Sequence, residues 1–402
     1  MAQSEYFSVR LKKNEEKRIK SGHLWVYSNE IDVKHSNLKE VAPGTLCSLI
    51  DDQGKPMGVG YINPHSLISV RLLSRNAKTA ISPKFFEARL QNALGLREMA
   101  YAMPYYRWIY GESDGLPGLV VDRFGDYIVV QLNTAGMEAM KEMVVDAIVS
   151  IAQPAGVLLK CDSSARQPEG LPSYVEVAHG QWPDENLLLE ENETQFMVPA
   201  QLGQKTGWFF DHRDNRKQLQ QLVAGKRVLD VFSYVGGWGI QAAVAGASEL
   251  MCVDTSDLAL EYVLRNAELN SVADQVTGLK GSAFEVMEAL LEDQEKFDVV
   301  ILDPPAFIKR KKDIKNGTNA YRHGNELAAR LLNKGGVLVS ASCSMHLAQE
   351  NLLSIVRQTG RHIDRHVQVF HHGSQGMDHP VHPAIPETQY LKALFSRVHD
   401  SL

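Results

Sequence analysis

One thiol stands where chemistry is possible. Near the C-terminal end, "GGVLVSASCSMH" (Gly335 to His346) runs from two glycines through a short apolar stretch to Cys343, set between serines where a buried strand emerges into polar chain. Such a cysteine is filler, a metal ligand or a nucleophile, and each makes a different demand on the rest of the chain. A second polar strand end comes earlier, in "DVVILDPPAF" (Asp298 to Phe307). There Asp303 closes the strand, and Pro304 and Pro305 fix the backbone, remove N–H donors and leave carbonyls facing outward. A flat base with amino and ring N–H groups finds acceptors at such a point, with Phe307 close in sequence for stacking. A third segment, "VLDVFSYVGGWGI" (Val228 to Ile240), puts Asp230 at a strand end and glycines at 236, 237 and 239 in the turn into a helix. Glycines there let the backbone approach a ligand and let the helix pack closely on the sheet. The spacing is not the GxGxxG of dinucleotide sites, because the acidic residue precedes the loop. The next strand, "ELMCVDTS", ends in Asp254, where a carboxylate can accept both hydroxyls of a ribose, and "LKGSAF" brings Ser282 and Ala283 to the rim an adenine would reach.

These strand ends need a scaffold that gathers them on one edge. From residue 194 to 402, short apolar strands alternate with helical patterns of ten to fifteen residues: "RVLDVFSY", "ELMCVDTS", "DQVTGLKG", "KFDVVILDPP" and "GGVLVSASCS" are the strands. Buried strands separated by helices imply an α/β domain with a parallel sheet covered on both faces, and such sheets bind ligands beyond the carboxyl ends of their strands. Residues 1–75 differ: "LCSLIDD", "PMGVGYI" and "LISVRLL" alternate apolar and polar between turn signals, which predicts a small β-rich domain with a hairpin at Gly54. Residues 76–193 read as a small α+β domain, opened by "SPKFFEARLQNALGLREMA" with Ser82 as cap and Pro83 at the first helical position.

The bulk numbers agree with several domains, since 402 residues exceed the roughly 100–200 of one domain, and a 44% hydrophobic fraction supports real cores. The start, "MAQSEYFSVRLKKNEEKRIK", lacks the apolar stretch of a secretion signal, and no uncharged run approaches the ~18 residues that span a bilayer, so a cytoplasmic protein is expected. Cys47, Cys161, Cys252 and Cys343 are scattered with no CxxC, which argues for reduced thiols and against a zinc site. No metal is expected. The net charge of −6 disfavours indiscriminate nucleic-acid binding, but "RLKKNEEKRIK" (Arg10 to Lys20) and "KRKKDIK" (Lys309 to Lys315) are locally basic.

Asp230, the glycines and Asp254 together resemble motifs I and II of class I S-adenosylmethionine-dependent methyltransferases. A thiolate beside a methyl donor has a defined use: adding to C6 of a pyrimidine, which makes C5 nucleophilic enough to take a methyl group. Asp303 would then bind N3 and the exocyclic amino group of cytosine as charge develops. A thiol with pKa about 8.5 needs help to ionise, and Arg322, His346 and the "KRKK" run are sequence-local candidates for that help. Cys47, Cys161 and Cys252 keep the reading of inert filler.

The chain as a whole resembles the bacterial ribosomal RNA large-subunit methyltransferases of the RlmI type, which make 5-methylcytosine. The residues that carry this are "GLPGLVVDRFGDYIVVQ" (Gly115 to Gln131), "QKTGWFFDHRDNR" (Gln204 to Arg216), "VLDVFSYVGGWG", "VDTS", "LDPPAF", "SCS" and "DHPVHPAIPETQYLKALF" (Asp378 to Phe395). The resemblance implies an N-terminal PUA RNA-binding domain, a central α+β domain, a C-terminal Rossmann-like methyltransferase domain and a homodimer. It implies S-adenosylmethionine as cofactor, Cys343 as nucleophile, and Asp230, Ser233, Tyr234, Gly236, Asp254 and Thr255 around the cofactor. Asp211 and Arg213 would be the polar contacts of a segment closing over it. Lys12 and Lys13 would lie on the RNA-binding domain, and Lys309 and Arg310 at the mouth of the site where a splayed-out nucleotide arrives. Many relatives carry an acidic residue where this chain has Ser282, whose neutral hydroxyl makes a weaker hydrogen bond to adenine. Two other functions compete: methylation of another base or of a nitrogen, which needs no thiol, and a non-catalytic RNA-binding assembly factor.

Overall fold

The computed structural model describes residues 6–183 and 186–401. The first five residues of the start read for a secretion signal, residues 184 and 185 in the segment 76–193, and Leu402 lie outside the described residues. The chain forms two compact units that interleave in sequence: Met1–Leu187, Pro199–Trp208 and Met377–Thr388 make the first, and Leu188–Val198, Phe209–Gly376 and Gln389–Leu402 the second.

In the first unit, five strands form one sheet: β1 (Phe7–Arg10), β2 (Trp25–Tyr27), β3 (Thr45–Ile50), β4 (Pro56–Ile62) and β5 (Ile68–Ser74), in the order β1-β3-β4-β5-β2. The β3–β4 hairpin turns at Gly54, whose φ of +85° is the left-handed conformation that favours glycine. Val9, Leu49, Ile62, Val70 and Leu72 point to one core. A second sheet, in the order β10-β9-β8-β7-β6, contains β6 (Tyr105–Tyr110), β7 (Leu119–Phe124), β8 (Tyr127–Leu132), β9 (Gly156–Cys161) and β10 (Tyr174–Gly180). Helices Pro83–Ala100 and Lys141–Ala152 bury Phe86, Leu90, Val144 and Ile148 in the core shared with this sheet. Ser82 occupies the cap position with extended backbone, although its side chain makes no capping bond.

The second unit contains the hairpin strands β11 (Leu187–Glu191, entering from the first unit) and β12 (Thr194–Val198), and a seven-stranded sheet. The sheet's strands are β13 (Arg227–Val231), β14 (Glu249–Asp254), β15 (Val276–Lys280), β16 (Phe297–Leu302), β17 (Leu332–Ser342), β18 (Arg365–Gly373) and β19 (Lys392–Asp400), in the order β15-β14-β13-β16-β17-β19-β18. The pairs from β15 to β17 are parallel, whereas β19 runs antiparallel to both β17 and β18. The five strands expected from alternation are all present, and β18 and β19 add an edge that alternation did not reveal. Strand order reverses between β13 and β16, and the carboxyl ends of the strands at such a reversal are where open α/β sheets bind ligands. Val228, Leu229, Val231, Val300 and Ile301 are fully buried, as expected of strands covered on both faces. Helix Asp257–Leu269 begins where Ser256 Oγ accepts from the Ala259 amide, and helix Ala283–Glu292 adds Met287 to the core. Among the described residues, no helix is long and apolar enough to cross a membrane.

Candidate active site

The loop after β13 is held in a conformation its sequence resists. Phe232 and Tyr234 have φ of 67° and 50°, and Gly236 has 85°. A non-glycine residue in that region costs on the order of 1–3 kcal/mol, so the surroundings must over-determine it. They do: the Phe232 and Ser233 amides donate to Val253 O, and the Tyr234 amide donates to Asp254 Oδ2 at 2.9 Å. A Cβ on Gly236 would lie 2.8 Å from the Ile240 side chain, and one on Gly239 would lie 3.0 Å from Asp230 Oδ2. The loop therefore has no room for larger residues at either glycine.

Asp230 is fully buried. Its Oδ2 accepts from the Gly239 amide at 2.9 Å, while Oδ1 has no partner. Burial, opposed by the Gly239 amide and reinforced by the like charges of Asp303 and Asp254, pushes its carboxyl up to about 7. A buried carboxylate oxygen without a donor is a site built for a cation or a donor that arrives with a ligand. Asp254 sits at the end of β14 with Oδ1 accepting from the Ser256 amide at 2.9 Å, and Thr255 beside it is exposed. Both Asp254 oxygens thus hold backbone, with lone pairs remaining for hydroxyls. Across from it the Gly281 amide donates to Asp254 O at 3.1 Å, which draws the end of β15 in; Ser282 then caps the helix that begins at Ala283 without a side-chain capping bond.

Asp303, at the end of β16, is bracketed by two groups the sequence did not single out. The His212 Nε2 lies 3.3 Å from Oδ1, and the Trp238 indole N–H donates to Oδ2 at 3.0 Å. Burial alone would raise this carboxyl, but the His212 ring beside it and the bond from Trp238 hold it below the ordinary value. The His212 and Trp238 rings are themselves in contact, with centroids 5.0 Å apart. Asp303 is thus a fixed carboxylate.

Cys343 follows β17 directly, and its sulfur lies 3.9 Å from the carbonyl oxygen of Pro304. It is the one partly exposed cysteine; Cys47, Cys161 and Cys252 are buried, and burial pushes all three thiols up, Cys47 to about 12. Around Cys343 the serines are fastened: Tyr321 OH bridges Ser342 Oγ and Ser344 Oγ at 2.9 Å each, and Ser344 Oγ accepts from the Ile308 amide at 3.1 Å. Beside them the Lys392 ammonium donates to Ser344 O at 2.7 Å. Pro304 is buried, Pro305 is exposed, and Phe307 packs against Tyr321 at 4.9 Å between centroids.

The remaining expected residues fall in different surroundings. Asp211 Oδ2 accepts a short hydrogen bond from Tyr390 OH, and its charge acts on Asp303. Arg213 is buried, with Nε 3.4 Å from Glu191 Oε2 and its guanidinium 5.3 Å from the centre of the Phe210 ring. Lys309 and Arg310 are exposed in the segment between β16 and helix Ile314–Arg330. Lys12 and Lys13 are exposed in the first unit, where Lys12 Nζ donates to Asn29 O at 2.6 Å. His212, Trp238 and Lys392 all lie inside quoted segments that carry the resemblance, yet nothing in a linear sequence says which partners they meet.

A PUA-like domain profile matches residues 9–75, and a profile of S-adenosylmethionine-dependent methyltransferases matches residues 171–397. With the glycine loop, the orphaned Asp230 oxygen and the Asp254 strand end, these define a class I methyltransferase whose cofactor is S-adenosylmethionine. Among curated proteins, the ribosomal RNA large subunit methyltransferase I of Shigella boydii is 34% identical over 397 residues, covering 97% of this chain and 100% of its own length. That of Aliivibrio fischeri is 35% identical over 395 residues, covering 97% and 99%. The chain belongs to the ribosomal RNA large subunit methyltransferase I family. A solved structure named as a methyltransferase complexed with SAH covers 97% of this chain with a TM-score of 0.83 at 20% identity, and one of a methyltransferase from Streptococcus mutans has a TM-score of 0.81 at 19%; both share the fold.

Proposed function

We propose that this chain methylates C5 of cytosine in large-subunit ribosomal RNA through a covalent bond between Cys343 and C6 of the base. The relatives' names supply the RNA class. The observation that carries the chemistry is geometric: Cys343 is a partly exposed residue at the carboxyl edge of the sheet, with its sulfur 3.9 Å from the carbonyl oxygen of Pro304, the residue that follows the fixed Asp303 carboxylate. S-adenosylmethionine, when bound, supplies an electrophilic methyl group. Asp230 would hold the amino end of the cofactor with its orphaned oxygen, Asp254 and Thr255 the ribose, and Ser282 and Ala283 the adenine. Ser233, Tyr234 and Gly236 would form the cradle, with Asp211 and Arg213 beside it.

Cys343 as thiolate adds to C6, and the C5–C6 π electrons become available at C5. Asp303 and the Pro304 and Pro305 carbonyls accept from the exocyclic amino group, and Asp303 favours protonation of N3 from water as charge develops on the ring. After methylation, the C5 proton leaves to water and the C6–S bond breaks, which restores the C5–C6 double bond and releases Cys343 as the thiolate. The base must leave its stack, since attack comes from above the ring plane. Phe307 would flank the extruded ring, Lys309 and Arg310 would meet its phosphates, and Lys12 and Lys13 would contact RNA through the PUA-like domain. This reading keeps three domains at 1–75, 76–193 and 194–402, a homodimer and a cytoplasmic location. Nucleoside mass spectrometry of large-subunit RNA treated with the protein and the methyl donor tests it. The expected product is 5-methylcytidine, lost in Cys343→Ala; a methylated nitrogen or 5-methyluridine overturns it.

A further inference from the structure

We infer that Lys392 is the positioning residue that keeps the Cys343 thiol ionised before the base arrives. This rests on the reading of Cys343 as nucleophile and assigns that site's source of positive charge. Lys392 opens β19 and is paired in register with Ser342, the residue before Cys343, across the antiparallel β17–β19 ladder. Its side chain is buried, and its ammonium donates to the carbonyl of Ser344, the residue after Cys343, at 2.7 Å. Lys392 is therefore held beside both chain neighbours of the sulfur, by its backbone at Ser342 and by its ammonium at Ser344. Among the described residues, no carboxylate lies within ion-pair distance of it.

A buried ammonium with one neutral acceptor is an incomplete site, since an ion taken out of water needs an opposite charge to balance its lost hydration. Burial pulls the Lys392 ammonium down to about 8, and the nearby Cys343 acts in the opposite direction when it carries charge. Each group favours the charged form of the other: the thiolate keeps Lys392 protonated, and the ammonium keeps Cys343 deprotonated. The thiol proton leaves to water, and Lys392 retains its own. Arg322, nearer to Cys343 in sequence, instead donates to Asn319 Oδ1 at the surface. The fastening of Tyr321 OH to Ser342 and Ser344 fixes the backbone that presents both groups.

The test is the pH dependence of Cys343 alkylation by iodoacetamide, read by peptide mass spectrometry in the full chain, for wild type, Lys392→Met and Lys392→Arg. In wild type, the rate should reach half its maximum clearly below about pH 8.5, the value of an ordinary thiol. At about pH 7 the methionine variant should react about tenfold more slowly, and the arginine variant should recover most of the rate. The buried Cys47, Cys161 and Cys252 report unfolding, because they become labelled if the variant opens. An unchanged profile in a folded Lys392→Met protein overturns the inference. So does a wild-type profile centred at or above about pH 8.5, a result that needs no variant to fold. Neither outcome depends on turnover, so failure here is distinct from failure of the nucleophile reading, which Cys343→Ala decides.

Discussion

Replacing Asp230 by Asn should stabilise the cofactor-free protein and weaken its cofactor binding at the same time. The carboxyl is fully buried, has one donor at the Gly239 amide and titrates at about 7 rather than at its ordinary value. Because its folded value is raised, its contribution favours folding at low pH and is lost as pH rises through about 7. Keeping it charged at about pH 8 therefore costs the fold about 4 kcal/mol. The asparagine still accepts from Gly239 but leaves its own N–H₂ unpaired, at a cost of about 1–3 kcal/mol. The net expectation is a gain of about 1–3 kcal/mol at about pH 8, shrinking or reversing by about pH 5, or a few degrees in melting temperature by scanning fluorimetry. With saturating SAH the order should invert, because only wild type gains binding energy from the ligand. In calorimetry, wild-type affinity for SAH should fall about fivefold from about pH 7 to about pH 6, whereas the variant's should be weak and flat over that range. Loss of stability in Asp230→Asn at alkaline pH, or a pH-independent wild-type affinity, would refute the idea that Asp230 is held in readiness for a ligand.

Glu191 accepts from Arg216 at 2.6 Å and Gln241 at 2.8 Å and faces Arg213, so Glu191→Ala strands buried cations; denaturant titration should show a loss of about 3–5 kcal/mol. Trp238→Phe removes the indole donor that helps hold Asp303 low; the Asp303 carboxyl, followed by carboxyl carbon NMR, should titrate at higher pH than in wild type, and an unmoved titration would mean the carboxylate does not need that bond. Lys309→Ala with Arg310→Ala should weaken RNA binding and reduce the salt slope by about one for each phosphate no longer neutralised, measured by fluorescence anisotropy across a salt series.

Much of this architecture is legible in the sequence alone. Doubly buried runs such as "VLDV" and "VVIL" announce parallel strands, since only a sheet covered on both faces tolerates them. Cys343 and Asp303 could be placed on one edge because both follow such runs. What could not be read is the partner of each polar group. β19 begins far beyond Cys343 in the chain and runs antiparallel to β17 and β18, and that reversed strand brings Lys392 to Ser344, a pairing that nearness in sequence does not suggest. His212 and Trp238 likewise reach Asp303 from a 3-10 turn before one helix and from the loop after β13, and periodicity carries no such pairing. The two carboxylates of the cradle also differ in a way composition cannot show: Asp254 is met by two backbone amides and Asp230 by one.

If the Cys343 sulfur bonds to C6 of the base, that bond can be trapped. RNA carrying 5-fluorocytidine at the target has no C5 proton to lose, so with S-adenosylmethionine present the adduct should persist and be found by mass spectrometry on the peptide containing Cys343. That adduct should form in wild type and not in Cys343→Ala, which should also make no 5-methylcytidine in ordinary RNA. A Cys343→Ala protein that still makes 5-methylcytidine at the wild-type rate would contradict it.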